Sequence, residues 1–419
     1  MAVHSSLTAA CPKLRLVDIR PHAHNGESYL MLRDPLQLSE QQLLIPQPLG
    51  AVLALCDGTR TPHDVAQTLS LYWGASVPTV LVEQVVEALD AVYLLENERM
   101  AEALRRARAA YRQAPCRPPL LAGQSYPAEP DALHALLEGY LAEARRSRNG
   151  AGHQHKTVAG LLSPHIDYPR GGSVYAQVWE QAAAAAQTAD LVVIFGTDHY
   201  GGDPFTLTRQ SYSTPYGVLP TALDVVDRLA AVLGEEAAYA GELRHRGEHS
   251  LELVAVWLHH LRARRPVEIV PILVGGFHHH IAGGTAPAND GMLNRVLETL
   301  ADATRGRRLL VVASGDLAHV GPAFGGEPLD AAARAAVAAA DKELLQWMQQ
   351  GDAEGFFEAI RRVRDRNNVC GVAPIYLTLR LLGKLGGEVR GELAGYASCN
   401  ADARETSAVT VGGMVFHPA

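Results

Sequence analysis

Residues 191–199 read Leu-Val-Val-Ile-Phe-Gly-Thr-Asp-His, an apolar run that ends abruptly in polar side chains. Short continuous apolar runs are typical of strands that are covered on both faces of a sheet. Similar runs occupy 158–163, 269–275 and 309–314, and helical patterns lie between them at 173–187, 222–233, 249–261 and 292–303. Two alanine-rich helices at 329–349 and 352–363 and a final strand at 408–416 follow. This alternation predicts a three-layer α/β domain with a largely parallel sheet.

A smaller unit precedes this domain, at residues 1–100. Its pattern predicts strands at 14–19 and 29–32, a helix at 47–55 and a closing strand at 92–95. Thr61 and Pro62 supply a capping hydroxyl and a first-turn proline for another helix, and a further helix begins near Pro78. Residues 101–118 predict a short helix followed by a stiff, proline-containing linker. The large domain then spans 119–419, with a polar loop at 146–156.

The bulk composition describes a globular chain of two domains, since 419 residues exceed one ordinary domain. With 37 basic against 45 acidic residues, the chain is not expected to bind nucleic acid, which needs a concentrated basic surface. No apolar run is long enough to cross a bilayer, and the first residues lack the apolar centre of a signal peptide, so we expect a cytoplasmic protein without a membrane partner. The five cysteines include no CxxC pair, which argues against a disulfide framework or zinc ribbon.

Ligand-type side chains follow three of the predicted strands. His165 comes just after the first apolar run, His199 after the second, and Asp316 and His319 after the last. Because functional crevices of open α/β sheets lie outside the carboxyl ends of the strands, we expect these four side chains to share one cleft. Any single histidine here could be only a loop or cap residue, but three strand ends repeating the pattern favour a site. Imidazole and carboxylate together suit Fe, Zn, Mn or Cu.

Two further positions open helices and carry reactive groups. Cys370 comes just before a predicted helix at 374–382, and a helix N-terminus favours the thiolate form that binds metal. The alternative for Cys370 is a buried small apolar residue. Glu248 and His249 could act as base or ligand, or Glu248 could simply belong to an acidic first turn.

Other polar residues in these segments have less specific interpretations. Asp167 and Asp198 are candidates either for metal ligands or for groups that orient the imidazoles. The run 278–280, three consecutive histidines, looks like a metal-binding tract, although incidental surface histidines are the simpler interpretation. His259 and His260, near a helix end, are expected to be surface or capping residues.

A set of ordered motifs resembles the Memo-like family, also called AmmeMemoRadiSam system protein B. These motifs are Ala-Gly-Gln-Ser-Tyr-Pro at 122–127, Ser-Pro-His-Ile-Asp-Tyr at 163–168, Gly-Thr-Asp-His at 196–199, Thr-Pro-Tyr-Gly at 214–217, Glu-His-Ser-Leu-Glu at 248–252, Pro-Ile-Leu-Val-Gly at 271–275, Ser-Gly-Asp-Leu-Ala-His at 314–319 and Cys-Gly at 370–371. The resemblance implies a fold similar to class III extradiol dioxygenases and a metal site at His165, His199 and Cys370. Asp316 and His319 correspond to the family's Asp and His block.

The small N-terminal unit resembles the PqqD-like winged-helix modules that recognise leader peptides. The resembling stretch comprises Cys-Asp-Gly-Thr-Arg-Thr at 56–61, the helix pair and residues 85–95. The family name further implies association with a radical-SAM protein. The alternative for this unit is a generic helix-turn-helix packing domain or an oligomerisation element.

These observations lead to one leading hypothesis and two rivals. We expect a redox enzyme, dioxygenase-like, that binds one transition-metal ion through His165, His199 and either Cys370 or Asp316, with Fe(II) favoured and Cu or Zn as alternatives. His319 or His249 would serve as acid or base, with Asp316 and Glu248 beside them. The rivals are a metal-stabilised binding scaffold without turnover and a metal-dependent hydrolase.

Overall fold

The computed structural model describes residues 11–147 and 157–419, and the chain divides into two compact units, Met1–Gln113 and Ala114–Ala419. The predicted polar loop at 146–156 lies mostly outside the described residues, as does most of the N-terminal stretch that was considered for a signal peptide. Within the described ranges, no helix combines the length and the apolar content needed to span a membrane.

In its described residues, the N-terminal unit combines a three-stranded antiparallel sheet with four α-helices. Its strands, in the order β1-β2-β3, are β1 (Asp18–His24), β2 (Glu27–Arg33) and β3 (Leu43–Pro46), and its helices are α1 (Gly50–Leu55), α2 (Pro62–Trp73), α3 (Thr79–Ala91) and α4 (Glu98–Gln113). The predicted helix start is confirmed, because the Thr61 hydroxyl accepts the Asp64 N–H and the Asp64 carboxylate accepts the Thr61 N–H.

Two strand predictions in this unit were wrong. The stretches 14–19 and 92–95 meet only in an isolated bridge between Leu14 and Leu95, and the first strand begins at Asp18. The hairpin of β1 and β2 turns at Asn25 and Gly26, which both have positive φ. Asn-Gly is the residue pair that a two-residue hairpin turn favours, so the sequence contains a local signal for this hairpin. The first strand was missed because β1 has few apolar residues.

The large unit contains an eight-stranded sheet, a two-stranded hairpin and eleven α-helices among the described residues. The strands are β4 (Gly160–Ser163), β5 (Leu191–Thr197), β6 (Phe205–Leu207), β7 (Tyr212–Thr214), β8 (Gly217–Leu219), β9 (Glu268–Val274), β10 (Leu309–Ser314), β11 (His319–Val320), β12 (Val389–Asn400) and β13 (Ala408–Pro418). The helices are α5 (Pro130–Ser147), α6 (Tyr168–Thr188), α7 (Leu223–Leu233), α8 (Glu235–Tyr239), α9 (Arg244–Gly247), α10 (His249–Leu261), α11 (His278–Ile281), α12 (Gly291–Ala303), α13 (Ala331–Gln350), α14 (Ala353–Arg362) and α15 (Val372–Gly386).

The centre of the large sheet is parallel and its flanks are antiparallel. The strand order is β11-β13-β4-β10-β5-β9-β6, with β12 paired to β13, and β7 with β8 forms the separate hairpin. The neighbours β4, β10, β5 and β9 run parallel to one another, whereas β6, β11, β12 and β13 pair antiparallel. The prediction of a largely parallel sheet therefore holds for the four central strands that the apolar runs marked.

Helices cover both faces of this sheet, as the continuous apolar runs predict. Along β5, Leu191, Val193 and Phe195 belong to one buried core, and Val192 and Ile194 belong to the other. The first core includes residues of α7, α12, α13, α14 and α15, and the second includes residues of α5, α6 and α10. Alternate side chains of one strand thus point into opposite layers, which explains why no polar residue interrupts the run.

Two buried histidines predict a loss of stability in acid. His245 hydrogen-bonds through Nδ1 to the Tyr212 hydroxyl (2.7 Å) and donates from Nε2 to the Thr206 carbonyl (3.0 Å). Burial lowers the pKa of His245 to about 3 and the pKa of His259 to about 4, from an ordinary value of 6.5.

Because the unfolded chain takes up these protons below about pH 6.5 while the folded chain does not, the free energy of unfolding should fall as the pH falls from 6.5 towards 3–4. We expect each histidine to contribute a loss on the order of 2–3 kcal/mol by pH 4. Urea unfolding at pH 7, 5 and 4 measures it. The fall of the unfolding free energy with pH should be less steep in His245→Gln than in the wild type. It should be unchanged in the control His278→Gln, whose side chain is exposed. Equal pH dependence in the wild type and both variants would contradict a lowered pKa of His245.

Candidate metal centre

The site lies at the carboxyl edge of the parallel strands β4, β10 and β5. His165 follows β4 and is 1% exposed. Its Nε2 lies 3.1 Å from the Cys370 Sγ, and its ring centroid lies 5.0 Å from that of His199, which follows β5. One ligand atom from each of His165, His199 and Cys370 lies within 4.8 Å of the others. Two imidazoles and a thiol at such spacing form a donor set for Zn, Cu or Fe rather than for Mg or Ca.

Glu248 fixes the orientation of the second imidazole. This residue is the N-cap of α10, is 1% exposed, and accepts the backbone N–H groups of His199 and Ser250. Its carboxylate oxygens lie 3.0 and 3.1 Å from the Nδ1 of His199, so that Nδ1–H donates to Glu248 and Nε2 is the ring nitrogen left for a metal ion. Carboxylates play this orienting part behind metal-bound imidazoles in general.

His249 lies beside the same carboxylate. Its Nδ1 is 3.1 Å from Glu248 Oε1, and its ring stacks on that of His199 with centroids 4.7 Å apart. The His249 side chain is 36% exposed, in contrast to the buried His165, which lies 5.2 Å away between ring centroids. This exposure leaves His249 accessible from solvent at the mouth of the cluster.

Asp316 holds the loop that carries His165. Its Oδ1 accepts the His165 N–H at 2.8 Å, and a second backbone bond comes from Ile166. Its Oδ2 lies 3.7 Å from the His165 Nε2, and its own N–H donates to the Cys370 Sγ at 3.3 Å. The carboxylate is therefore partly committed to the backbone, whereas the Cys370 sulfur faces both imidazoles. Burial raises the pKa of Asp316 to about 6.

His319 is the first residue of β11. With Asp316 and Cys370 it forms a second compact group of possible ligands. Its Nδ1 lies 3.1 Å from the Leu317 carbonyl oxygen, and the backbone of Asn368 is a second hydrogen-bond partner of the ring. Burial lowers the pKa of His319 to about 4, so that the ring is neutral at pH 7. A neutral, oriented imidazole beside the donors can take up a proton.

The electrostatics of the cluster favour an added cation. Burial opposes the charged form of Glu248, but His199 and His249 hold its pKa well below the usual range. Burial likewise opposes the charged form of His199, but Glu248 and Cys370 raise its pKa well above the usual value. Burial also raises the pKa of Cys370, in opposition to the thiolate form that the following helix N-terminus favours. A metal ion supplies the positive charge that a buried thiolate needs.

Close packing of two glycines sets the distance between the Asp316 and Cys370 loops. A Cβ on Gly315 would lie 2.6 Å from the Gly371 Cα, and the Gly371 N–H donates to the Asp316 carbonyl at 3.0 Å. We expect Gly315→Ala to separate the two loops and to weaken metal binding by about 10-fold or more, since misplaced surroundings of a metal site cost about 10–100-fold in affinity.

Metal titration followed by thermal unfolding measures both effects of Gly315→Ala. The matched control is Gly383→Ala, because nothing lies within 4 Å of a Cβ at this exposed helical position. The control should bind metal normally and be slightly more stable, because alanine is the better helix former. Normal binding by Gly315→Ala would contradict a role for this packing.

Several other polar residues have positions that differ from the expectations. Asp198 pairs with Arg244 at 2.7 Å, and Asp167 caps α6 and pairs with Arg170, so neither orients an imidazole of the cluster. His259 and His260 are not surface residues, since they are 1% and 6% exposed. Both lie near the end of α10, a helix that is buried along almost its whole length. Hydrophobic periodicity alone did not reveal that these two histidines are buried.

The structure also reveals a buried ion pair that sequence reasoning did not identify. Glu252, one turn into α10, accepts from the Arg117 guanidinium, from the Leu120 and Leu121 N–H groups and from the Tyr126 hydroxyl. Arg117 in turn donates to the carbonyls of His245 and Glu248. The only sequence signal for this pair was the second acidic residue of the 248–252 motif.

The cluster at this sheet edge thus brings together seven of the predicted residues: His165, His199, Glu248, His249, Asp316, His319 and Cys370. The fold and cluster define an α/β protein with a candidate site for a transition-metal ion. The sequence of residues 117–415 matches the family described as Memo-like protein. The chain belongs to this family.

Relatives of the chain occur in bacteria and archaea. A MEMO1 family protein of Aquifex aeolicus is 27% identical over 408 residues, which cover 97% of this chain and 100% of the relative. MEMO1 family proteins of Methanosarcina acetivorans and Methanosarcina mazei are 30% and 29% identical and cover 70% and 67% of this chain, or 96% and 91% of their own lengths. The similarity to the Aquifex protein thus extends over both units.

Proposed function

We propose that this protein is a metal-dependent redox enzyme, dioxygenase-like, in which His165, His199 and Cys370 hold one ion. The observation that supports this proposal is the group of three donor atoms within 4.8 Å at the carboxyl edge of a parallel sheet. Cys370 is preferred to Asp316 as the third ligand because Asp316 already accepts backbone N–H groups. Fe(II) is the favoured ion, with Cu and Zn as alternatives that a thiolate also suits.

The residues around the donors have separate parts in this proposal. Glu248 orients the His199 ring, and Asp316 holds the His165 loop in place. His319, neutral at pH 7, takes the proton of a substrate hydroxyl, and His249, whose side chain is partly exposed, is the second candidate acid or base. When bound, the ion supplies Lewis-acid and one-electron chemistry for a small or peptide substrate.

The test combines elemental analysis with oxygen uptake. Protein purified without an affinity tag, loaded anaerobically with Fe(II), should hold about one ion per chain and consume oxygen when catechols are added. His319→Gln should keep the ion and lose about 100-fold or more of the oxygen uptake, the contribution typical of a general base.

Two outcomes would replace this proposal by its rivals. A full complement of metal with no oxygen uptake in any metal form would favour the binding scaffold. Zinc-supported cleavage of esters or amides would favour the hydrolase, with metal-bound water as the nucleophile.

For the N-terminal unit, we propose a PqqD-like winged helix that binds a peptide or leader segment, alongside a radical-SAM protein. Its support is an exposed apolar run at the end of α2, where Leu71 and Tyr72 are 87% and 82% exposed. Fluorescence anisotropy of labelled apolar peptides with the full chain tests it. Leu71→Glu should abolish binding and Gln67→Glu, on the same helix, should not; absence of binding to the unsubstituted chain would contradict the proposal.

A further inference from the structure

A second group of potential metal ligands lies between α5 and α10, away from the sheet edge. His134 and Glu138 are four residues apart on α5 and therefore share one face of that helix. His260 meets them from the C-terminal end of α10. The His260 Nε2 is 3.0 Å from Glu138 Oε1, the rings of His134 and His260 are 5.2 Å apart between centroids, and one ligand atom from each residue lies within 4.8 Å of the others.

This group is distinct from the centre already described. His249 and His260 lie at opposite ends of α10, which a rise of 1.5 Å per residue places about 16 Å apart along the helix axis. No residue of the first centre belongs to the second group. One ion could therefore not serve both.

The environment of His260 resembles that of a metal-bound imidazole. The ring is buried, with a side chain 2% exposed, and its Nδ1 lies 3.2 Å from the Tyr216 hydroxyl. That hydroxyl can accept the Nδ1 proton, which leaves Nε2 free to bind an ion on the side of Glu138 and His134.

The nearby arginines have carboxylate partners of their own. Arg145 lies 3.4 Å from Glu138 but pairs more closely with Glu180, at 2.9 Å, and half of its side chain is exposed. Arg264 stacks on the Tyr216 ring and pairs with Asp131 at 2.9 Å. Their repulsion of a bound cation is thus reduced by pairing and by solvent screening.

We propose that His134, Glu138 and His260 bind a divalent transition-metal ion such as Zn²⁺, which links α5 to α10. Two imidazoles and one carboxylate are a donor set that zinc uses with water in the remaining position. Mg and Ca, which require oxygen ligands, are not expected to bind. Because His134 is exposed and Glu138 is half-buried, the ion would enter from solvent without unfolding either helix.

The test counts zinc ions bound by the full chain. Equilibrium dialysis of the wild type should give one equivalent of Zn²⁺ more than His134→Ala or Glu138→Gln, and loss of a ligand should weaken this site by more than about 100-fold. Both substitutions are at positions open to solvent, so the fold and the first centre should be retained. Glu143→Gln, exposed on the same helix, is the control and should keep the additional equivalent.

The location of the ion is tested by a second comparison. Co²⁺ bound at this second site should give a visible absorption band that His134→Ala removes, while the spectrum of the first centre persists. The two proposals can therefore fail independently of each other. His279, His280 and Asp290 form another candidate group. If the additional ion persists in both His134→Ala and Glu138→Gln, or if only His279→Ala removes it, the proposal is wrong.

Discussion

Replacing either His165 or Cys370 by alanine is expected to abolish stoichiometric metal binding. Both side chains face the same space, with Nε2 and Sγ 3.1 Å apart, and either substitution leaves only two of the three donors. The loss of one ligand of three should exceed the roughly 10–100-fold in affinity that substitutions behind a metal ligand cost. Metal content by elemental analysis should fall by about one ion per chain.

Matched controls separate this effect from a loss of folding. Cys56→Ala removes a buried thiol from the N-terminal unit and should leave the metal content unchanged. Circular dichroism should show the same helix content in all variants. If His165→Ala and Cys370→Ala both retain the full metal content of the wild type after this check, the ligand assignment is wrong.

Breaking the Arg117–Glu252 pair is expected to destabilise the large unit strongly. Glu252 is 1% exposed and accepts hydrogen bonds from four donors, and Arg117 is completely buried. Glu252→Ala leaves the guanidinium without its carboxylate, and removal of one partner of a buried pair costs about 3–5 kcal/mol. Urea unfolding should therefore show a much lower midpoint than the wild type.

A double substitution shows whether the pair itself is responsible. Arg117→Met combined with Glu252→Leu removes both charges, so its cost should be smaller than the sum of the two single costs. Glu236→Ala, on the exposed side of α8, is the control and should stay within about 0.5 kcal/mol of the wild type. Additive costs would show that Arg117 and Glu252 act independently.

Much of the fold could be predicted because its signals are local. The apolar runs marked the four central strands, and α10 was predicted with its observed bounds, His249–Leu261. β12 was missed because its residues are partly exposed and interrupted by glycine, so neither alternation nor a continuous apolar run marks it. Its pairing with β13 supplies the stability that its own sequence does not indicate.

The candidate site could be predicted as a set of residues but not as an arrangement. His165, His199 and Asp316 were identified because parallel strands bring their carboxyl ends to one edge. The strand pattern could not predict the preference that we propose for Cys370 over Asp316 as a donor, because it depends on Asp316 accepting the N–H of His165. That hydrogen bond joins loops that are far apart in the chain.

The amino-acid sequence alone determined the alternation of strands and helices, the edge at which ligands gather and the family to which the chain belongs. Tertiary structure alone decided which partner each polar group acquires. It placed Glu248 behind His199, turned His260 inward towards α5 and buried Arg117 against Glu252. Local patterns follow from backbone geometry and burial, whereas these pairings depend on which distant segments the packed helices bring within hydrogen-bond distance.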